Sequence, residues 1–264
     1  MALSFCSFAS GSSGNCYLVK SDTTAILVDA GISTKKIISG LTQMEIEGDK
    51  VTAILLTHEH SDHVKSLSTL MRRLKGLTAY ANVDTWAVIN QEIDPLRMRN
   101  FKTGQAFQIG DIRVNSFRIY HDAADPVGYS FFKDGKQISI LTDTGCVADD
   151  TMDEIREADL LILEANHDVD MLKIGRYPWF LKQRILGDYG HLSNESAGKI
   201  LVRLLSERKK DRRILLAHLS RENNFPEMAY QTVKNILEEY NFFIGKHVEL
   251  ATVIREEVSV LYKV

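Results

Sequence analysis

The sequence predicts an α/β protein arranged in layers, as a four-layer αββα sandwich. Three observations point there. Nearly all-apolar runs such as VTAILLT (51–57), LLILEA (160–165) and RILLAHL (213–219) have the pattern of strands buried on both faces. Segments with the 3.6-residue apolar period of amphipathic helices alternate with them. The strands also fall into two sets, one in each half of the chain, with helices between. Period and order by themselves give the layered α/β class; the sandwich is a further step.

Taken in order, LSFCSFA (3–9), NCYLV (15–19) and TAILVDA (24–30) read as strands, separated by the turn-forming GSSG (11–14) and by Ser21-Asp22. STKKIISGLTQM (33–44) reads as a helix opened by a Ser or Thr cap. After VTAILLT, a helix over 61–74 places Val64, Leu67, Leu70, Met71 and Leu74 on one face. Strands return at 106–109, 112–119, 129–132 and 138–141. In the second half, a helix over 193–206 carries Ala197, Ile200, Leu201, Leu204 and Leu205 at helical spacing. Residues 226–240 form another amphipathic helix, and two strands close the chain near Val248 and Val258.

With 264 residues and no repeat, low-complexity tract or linker, residues 1–264 are expected to form a single domain. Hydrophobic residues at 44% and charged residues at 25% exclude disorder and fibrous architectures. A net charge of −3, from 32 basic and 35 acidic residues, excludes a general polyanion binder, so any nucleic-acid contact must come from a local patch. Three cysteines (Cys6, Cys16 and Cys146) are no disulfide framework and point to a reducing compartment. MALSFCSFAS lacks the features of a signal peptide, and no apolar run reaches the ~18 residues that span a bilayer. The expectation is a cytoplasmic protein with no membrane partner.

The chemistry is concentrated in Thr57-His58-Glu59-His60-Ser61-Asp62-His63, directly after the VTAILL strand. Imidazoles and carboxylates crowded in this way suit zinc or a similar first-row metal. A solvated His-rich loop is the plain alternative, disfavoured because such groups repel one another once protonated. Five more histidines follow: His121, His167, His191, His218 and His247. His121, Asp143 and His218 each stand at or just past the end of an expected strand, so they converge on one sheet edge.

This order of motifs resembles the metallo-β-lactamase superfamily: HxHxDH at 58–63, Asp29 upstream in VDAG, then His121, Asp143 and His218. The resemblance implies the metallo-β-lactamase fold and two divalent metal ions, whether zinc, manganese or iron. It implies that His58, His60 and His121 hold one ion and that Asp62, His63 and His218 hold the other. Asp143 would bridge both, and Asp29 would orient a ligand histidine. The second half is similar to the tRNA-maturing endonuclease RNase Z in Glu164-Ala165, Gly190-His191-Leu192-Ser193 and Ala217-His218-Leu219-Ser220-Arg221. GSSGNCYLV, YPWFLKQRILGDYGHLSN and HLSRENN resemble the WalJ/YycJ-like bacterial DNA exonucleases. The RNase Z likeness implies that His191 donates a proton and Glu164 holds it, which with Asp62 makes up the expected catalytic group. Ser193, Asn194, Arg221, His167, Arg176 and Lys182 are the candidate substrate contacts, His167 being equally a residue behind the ligands.

Only 75 positions separate Asp143 from His218, too few for the inserted cap of the β-CASP nucleases. The Gly/Pro-rich arm with which RNase Z enzymes grip tRNA is also missing, so DNA is the expected substrate. Cations and aromatics interleave at Lys173, Arg176, Tyr177, Trp179, Phe180, Lys182 and Arg184. They suit a phosphate backbone and stacked bases, or else form an amphipathic helix whose Trp and Phe pack inward. The denser basic run from Arg203 to Arg213 reads as a solvated helix end. GSSG reads as a hairpin turn in preference to an anion-binding nest, and Cys146 as structural. The alternative functions are hydrolysis of an ester, lactone, thioester or β-lactam, a flavodiiron-type redox protein, and an inactive nucleic-acid-binding module.

Overall fold

A computed structural model describes residues 3–264. Strands β1 (Ser4–Ala9), β2 (Cys16–Lys20), β3 (Ala25–Val28), β4 (Val51–Leu55), β5 (Thr78–Asn82) and β6 (Met98–Phe101) form one sheet. Strands β7 (Ala106–Ile109), β8 (Ile112–Arg118), β9 (Val127–Lys133), β10 (Lys136–Leu141), β11 (Leu160–Glu164), β12 (Arg213–Ala217) and β13 (Glu249–Thr252) form the second. Finally β14 (Tyr262–Lys263) returns to pair antiparallel with β1. In both sheets an antiparallel meander passes into a parallel run, at β3–β4 in the first and β10–β11 in the second. Among the parallel strands, β3, β11 and β12 are nearly all-apolar because both of their faces are covered.

Alternation along those strands makes the layers. Ile26, Val28, Leu160, Ile162, Leu215 and Ala217 fill the gap between the sheets, together with Phe5, Tyr17, Tyr129 and Phe131. Leu27 and Ile54 face the opposite way, onto α1 (Thr34–Gln43) and, beyond the short α2 (Ser61–Val64), onto α3 (Leu67–Arg73). Leu161, Leu163, Ile214 and Leu216 face an outer layer. Helices α4 (Val83–Val88), α5 (Asp149–Ile155), α6 (Val169–Ile174), α7 (Trp179–Leu186), α8 (Asn194–Glu207) and α9 (Pro226–Glu239) complete the set, and α5, α8 and α9 supply that layer. Helix, sheet, sheet, helix is the expected sandwich.

Two local expectations are corrected. The helix over 61–74 breaks at Lys65-Ser66, because the strand-end loops take its hydrogen bonds. Asn15 N–H donates to the Asp62 carbonyl (2.8 Å), Ala30 N–H to the His63 carbonyl (2.6 Å), and Ser66 N–H to the Ala30 carbonyl (2.9 Å). The last strand lies at 262–263 and not near Val258; Ser259 N–H bonds the Ser7 carbonyl before the ladder begins.

Candidate metal centre

Three site residues follow strands in left-handed backbone: Asp29 after β3 (φ 62°), Asp143 after β10 (φ 58°) and His218 after β12 (φ 56°). Non-glycine residues adopt this region rarely, with Asp and His among the more tolerant. The reversal ends each strand at once and brings donors from both sheets to one edge. The THEHSDH segment, which runs from just past β4 into α2, is drawn under the same edge by a close approach. A Cβ on Gly31 would lie 1.5 Å from the Asp62 carbonyl oxygen, so no side chain fits there.

His58, His60 and His121 place their donor atoms within 4.8 Å of one another, as do Asp62, His63 and His218. Asp143 stands between the groups, forming a third such set with His58 and His63. Its Oδ1 lies 3.4 Å from His218 Nε2 and its Oδ2 lies 3.5 Å from His63 Nε2. The outer nitrogens are fixed by protein groups. His63 Nδ1 meets Asp29 Oδ2 at 2.7 Å, and His218 Nδ1 meets Glu164 Oε1 at 2.7 Å. His121 Nδ1 lies 3.2 Å from the Gly190 carbonyl, which can only accept. Thr57 Oγ1 donates to Asp29 Oδ2 (2.8 Å) and so can accept from His58 Nδ1 at 3.0 Å. With Nδ1 donating in each case, it is Nε2 that faces the cluster and is left for a metal. Such outward bonds accompany metal-ligating histidines.

The electrostatics match a cation site. His58 Nε2, Asp143 Oδ2 and His218 Nε2 are buried with no hydrogen-bond partner, an arrangement that normally carries a desolvation penalty. Cations held by the two groups of donors would satisfy all three, so these residues fit bound metal. Burial opposes charge on Asp143, but His218 and His63 hold its carboxyl well below the ordinary range. Burial disfavours protonated His218 as well, yet Asp143 and Glu164 push it up to about 9. His58 is held well below its ordinary value by burial and by His63. Negative charge surrounds imidazoles whose neutral form coordinates metals.

Beside this centre, His191 Nδ1 bonds Glu164 Oε1 at 2.8 Å. The fully buried Glu164 thus serves His191 and His218 through one oxygen. Its Oε2 accepts from Thr144 N–H (2.8 Å) and Leu192 N–H (3.3 Å). Burial works against its charge, but the two histidines keep its pKa at about 2. The His191 ring centroid lies 5.0 Å from that of His121 and 5.4 Å from that of His218. His191 precedes the Ser193 cap of α8 and does not head the helix itself.

The sequence profile described as Beta-lactamase superfamily domain matches residues 24–218. The chain belongs to the metallo-β-lactamase superfamily. It is 41% identical to exodeoxyribonuclease YycJ of Bacillus anthracis over 253 residues, 95% of each protein. It is 43% identical to exodeoxyribonuclease WalJ of Streptococcus pneumoniae over 242 residues, 90% of this chain and 89% of that protein. The metallo-β-lactamase fold protein YhfI from Bacillus subtilis superposes over the full length of both chains with a TM-score of 0.73 at 16% identity. As a member of this superfamily with a donor cluster suited to divalent metal, the chain is a metal-dependent hydrolase.

This metallo-β-lactamase-fold chain places the expected substrate contacts differently. Asn194 is buried with its amide on Asn224, and Ser193 caps α8 by accepting from Ser196 N–H (3.1 Å). Lys182 is buried, its Nζ on the carbonyls of Lys173 (2.6 Å) and Gly175 (2.7 Å). His167 is 1% exposed, and burial lowers its pKa to about 4. All four side chains are buried, Asn194, Ser193 and Lys182 on protein partners and His167 with neither ring nitrogen hydrogen-bonded. Arg176 and Arg221 are exposed. Trp179 and Phe180, 63% and 72% exposed, overturn inward packing of α7. In the other basic run, Arg203, Arg208, Lys210 and Arg213 are ion-paired and Arg212 is buried.

Sequence reasoning missed Asn15, whose Nδ2 lies 3.0 Å from His63 Nε2 across 48 residues, and the hydroxyl role of Thr57. Asn15 reads as the opening residue of the strand NCYLV, directly after the GSSG turn, where Gly14 N–H does bond the Gly11 carbonyl (2.9 Å). Only tertiary contact brings it to the centre.

Proposed function

We propose that the chain is a dinuclear metal-dependent phosphodiesterase acting as a DNA exonuclease. The observation that carries this reading is the pair of donor triads meeting at Asp143, with His191 beside them on Glu164. His58, His60 and His121 would hold one ion, Asp62, His63 and His218 the other, and Asp143 both. Two such ions supply charge neutralisation and a lowered proton affinity of water for displacement at phosphorus. The protein's own part is positional. Asp29, Thr57, Glu164 and the Gly190 carbonyl lock four imidazoles, so the donor set is organised before substrate arrives. His191, with Nδ1 committed to Glu164, presents Nε2 for delivering a proton to the departing 3′-oxygen. The names of YycJ and WalJ, each matched over about nine-tenths of its length or more, support DNA as substrate.

We further read residues 1–264 as one working domain in the cytoplasm. The central core draws on both sheets, and the three cysteines are unpaired. Among the described residues no helix is long and apolar enough to cross a membrane. Zinc and manganese are the ions to test. Protein loaded with each should bind about two ions per chain and degrade end-labelled DNA while leaving nitrocefin and a thioester intact. Absence of metal together with no DNA turnover under either ion would overturn the reading.

A further inference from the structure

We propose that α7 is a stacking platform that holds the bases of a single-stranded DNA end beside the metal centre. The inference rests on the phosphodiesterase reading and adds the form of its substrate. Trp179 and Phe180 stand at the exposed N-terminal end of α7, and Tyr189, 62% exposed, follows its C-terminal end. Large aromatic side chains left in water over one short segment are open to a ligand, and π-faces take any base.

The segment is fixed to the rim of the centre. Arg184 Nε pairs with Asp122, the neighbour of His121. His191 N–H bonds the Ile185 carbonyl at 3.0 Å, and His121 Nδ1 reaches the Gly190 carbonyl. Tyr189 lies against Tyr120, ring centroids 6.3 Å apart. Phe180 and Arg184 are four residues apart on α7, hence on one face. Trp179 is five residues from Arg184, about 7.5 Å along the axis. That is roughly the rise of two stacked nucleotides. A strand laid on the aromatics therefore brings its terminal phosphodiester toward His121 and His191.

Charge selects the occupant. Residues 169–190 carry four cations and two carboxylates in a chain of net charge −3. Arg176 and Lys173 are exposed, and among the described residues neither side chain has an ion-pair partner. Arg184 is 52% exposed on its side chain. Free cations interleaved with exposed aromatics match a backbone of phosphates with bases alongside. They match a second copy of this acidic-to-neutral chain less well.

The test uses the metal-loaded protein. In a Trp86→Phe background Trp179 is the sole tryptophan, and its fluorescence should be quenched on titration with phosphorothioate oligothymidylate. Replacing Trp179 and Phe180 together by Ala should raise KM for single-stranded oligothymidylate about 5- to 150-fold per lost stack. Turnover of methyl p-nitrophenyl phosphate, which has no base, should be unchanged. Trp179→Phe with Phe180→Trp should restore KM. An unchanged KM, an equal loss on the small ester, or a change in oligomeric mass on substitution would each overturn the platform, the last by making it an interface between copies. Quenching by the oligonucleotide without turnover of either phosphodiester would instead overturn the phosphodiesterase reading and leave the platform standing.

Discussion

His191→Ala separates proton delivery from metal binding. The residue touches the rest of the site chiefly through Glu164, and that carboxylate keeps three other partners: His218 Nδ1 at 2.7 Å, Thr144 N–H at 2.8 Å and Leu192 N–H at 3.3 Å. Removing a half-buried imidazole should therefore leave His218 in place and the fold intact. What disappears is the only ring on Glu164 outside the two metal triads. General acid catalysis contributes about 10²- to 10⁴-fold, so turnover of an ordinary oligonucleotide should fall within that range. A p-nitrophenyl phosphodiester leaves without needing a proton and should lose far less. Elemental analysis should find the same metal content as in the wild type. Equal losses on both substrates would refute the acid role. Metal loss would refute it differently, by making His191 a ligand, since Asp143, Glu164, His191 and His218 also lie within ligand distance of one another.

Three further outcomes are expected. Asp143→Ala should reduce both metal occupancy and turnover, whereas His121→Ala should mainly weaken one ion; wild-type occupancy in Asp143→Ala would reject the shared-ligand assignment. Asp29→Asn disturbs the carboxylate that takes His63 Nδ1, Thr57 N–H and Thr57 Oγ1, and should weaken metal affinity about 10- to 100-fold, read by competition with a chelating dye. His167 is neutral when folded, with a pKa of about 4 against the ordinary 6.5, so the unfolded chain takes up its proton first as pH falls. Its contribution is present above pH 6.5 and about 3 kcal/mol is lost by pH 4, so denaturant titrations should show His167→Phe losing less stability than wild type across that window.

The parts of this structure legible in the sequence are those set by local pattern. Buried strands such as β4, β11 and β12 announce themselves because both faces need apolar residues, and THEHSDH is contiguous. By contrast β5 (TAYAN) and β6 (MRNF) lie toward a sheet edge, where partial exposure dilutes the signal, and they pass unnoticed. The break between α2 and α3 is illegible for another reason: Val64, Leu67, Leu70 and Met71 keep helical spacing, and only the distant Asn15 and Ala30 divert the hydrogen bonds. The burial of Lys182 and Asn194 on a carbonyl and an amide partner is likewise set by tertiary contact and illegible in the sequence. The exposure of Trp179 and Phe180 runs against the usual tendency of aromatics to be covered.

Left-handed backbone at Asp29, Asp143 and His218 ties the architecture to the chemistry. Each such residue costs about 1–3 kcal/mol and persists only where its surroundings hold it. Here the holding contacts are themselves parts of the site: Asp29 is gripped by Thr57 and His63, and His218 by Glu164 and by Ser10 Oγ, which accepts its backbone N–H at 2.8 Å. Extended backbone at these positions would carry the pleat onward and point successive side chains to opposite faces of a sheet. The turns let the ends of β10 and β12 aim Asp143 and His218 at the donor cluster, while the end of β3 sets Asp29 behind His63. Glu164, at the end of β11, then sets the orientation of His218 and His191 with a single oxygen. On the proposed assignment, metal geometry and proton delivery are therefore not independent, and a shift of β11 against β12 would disturb both together.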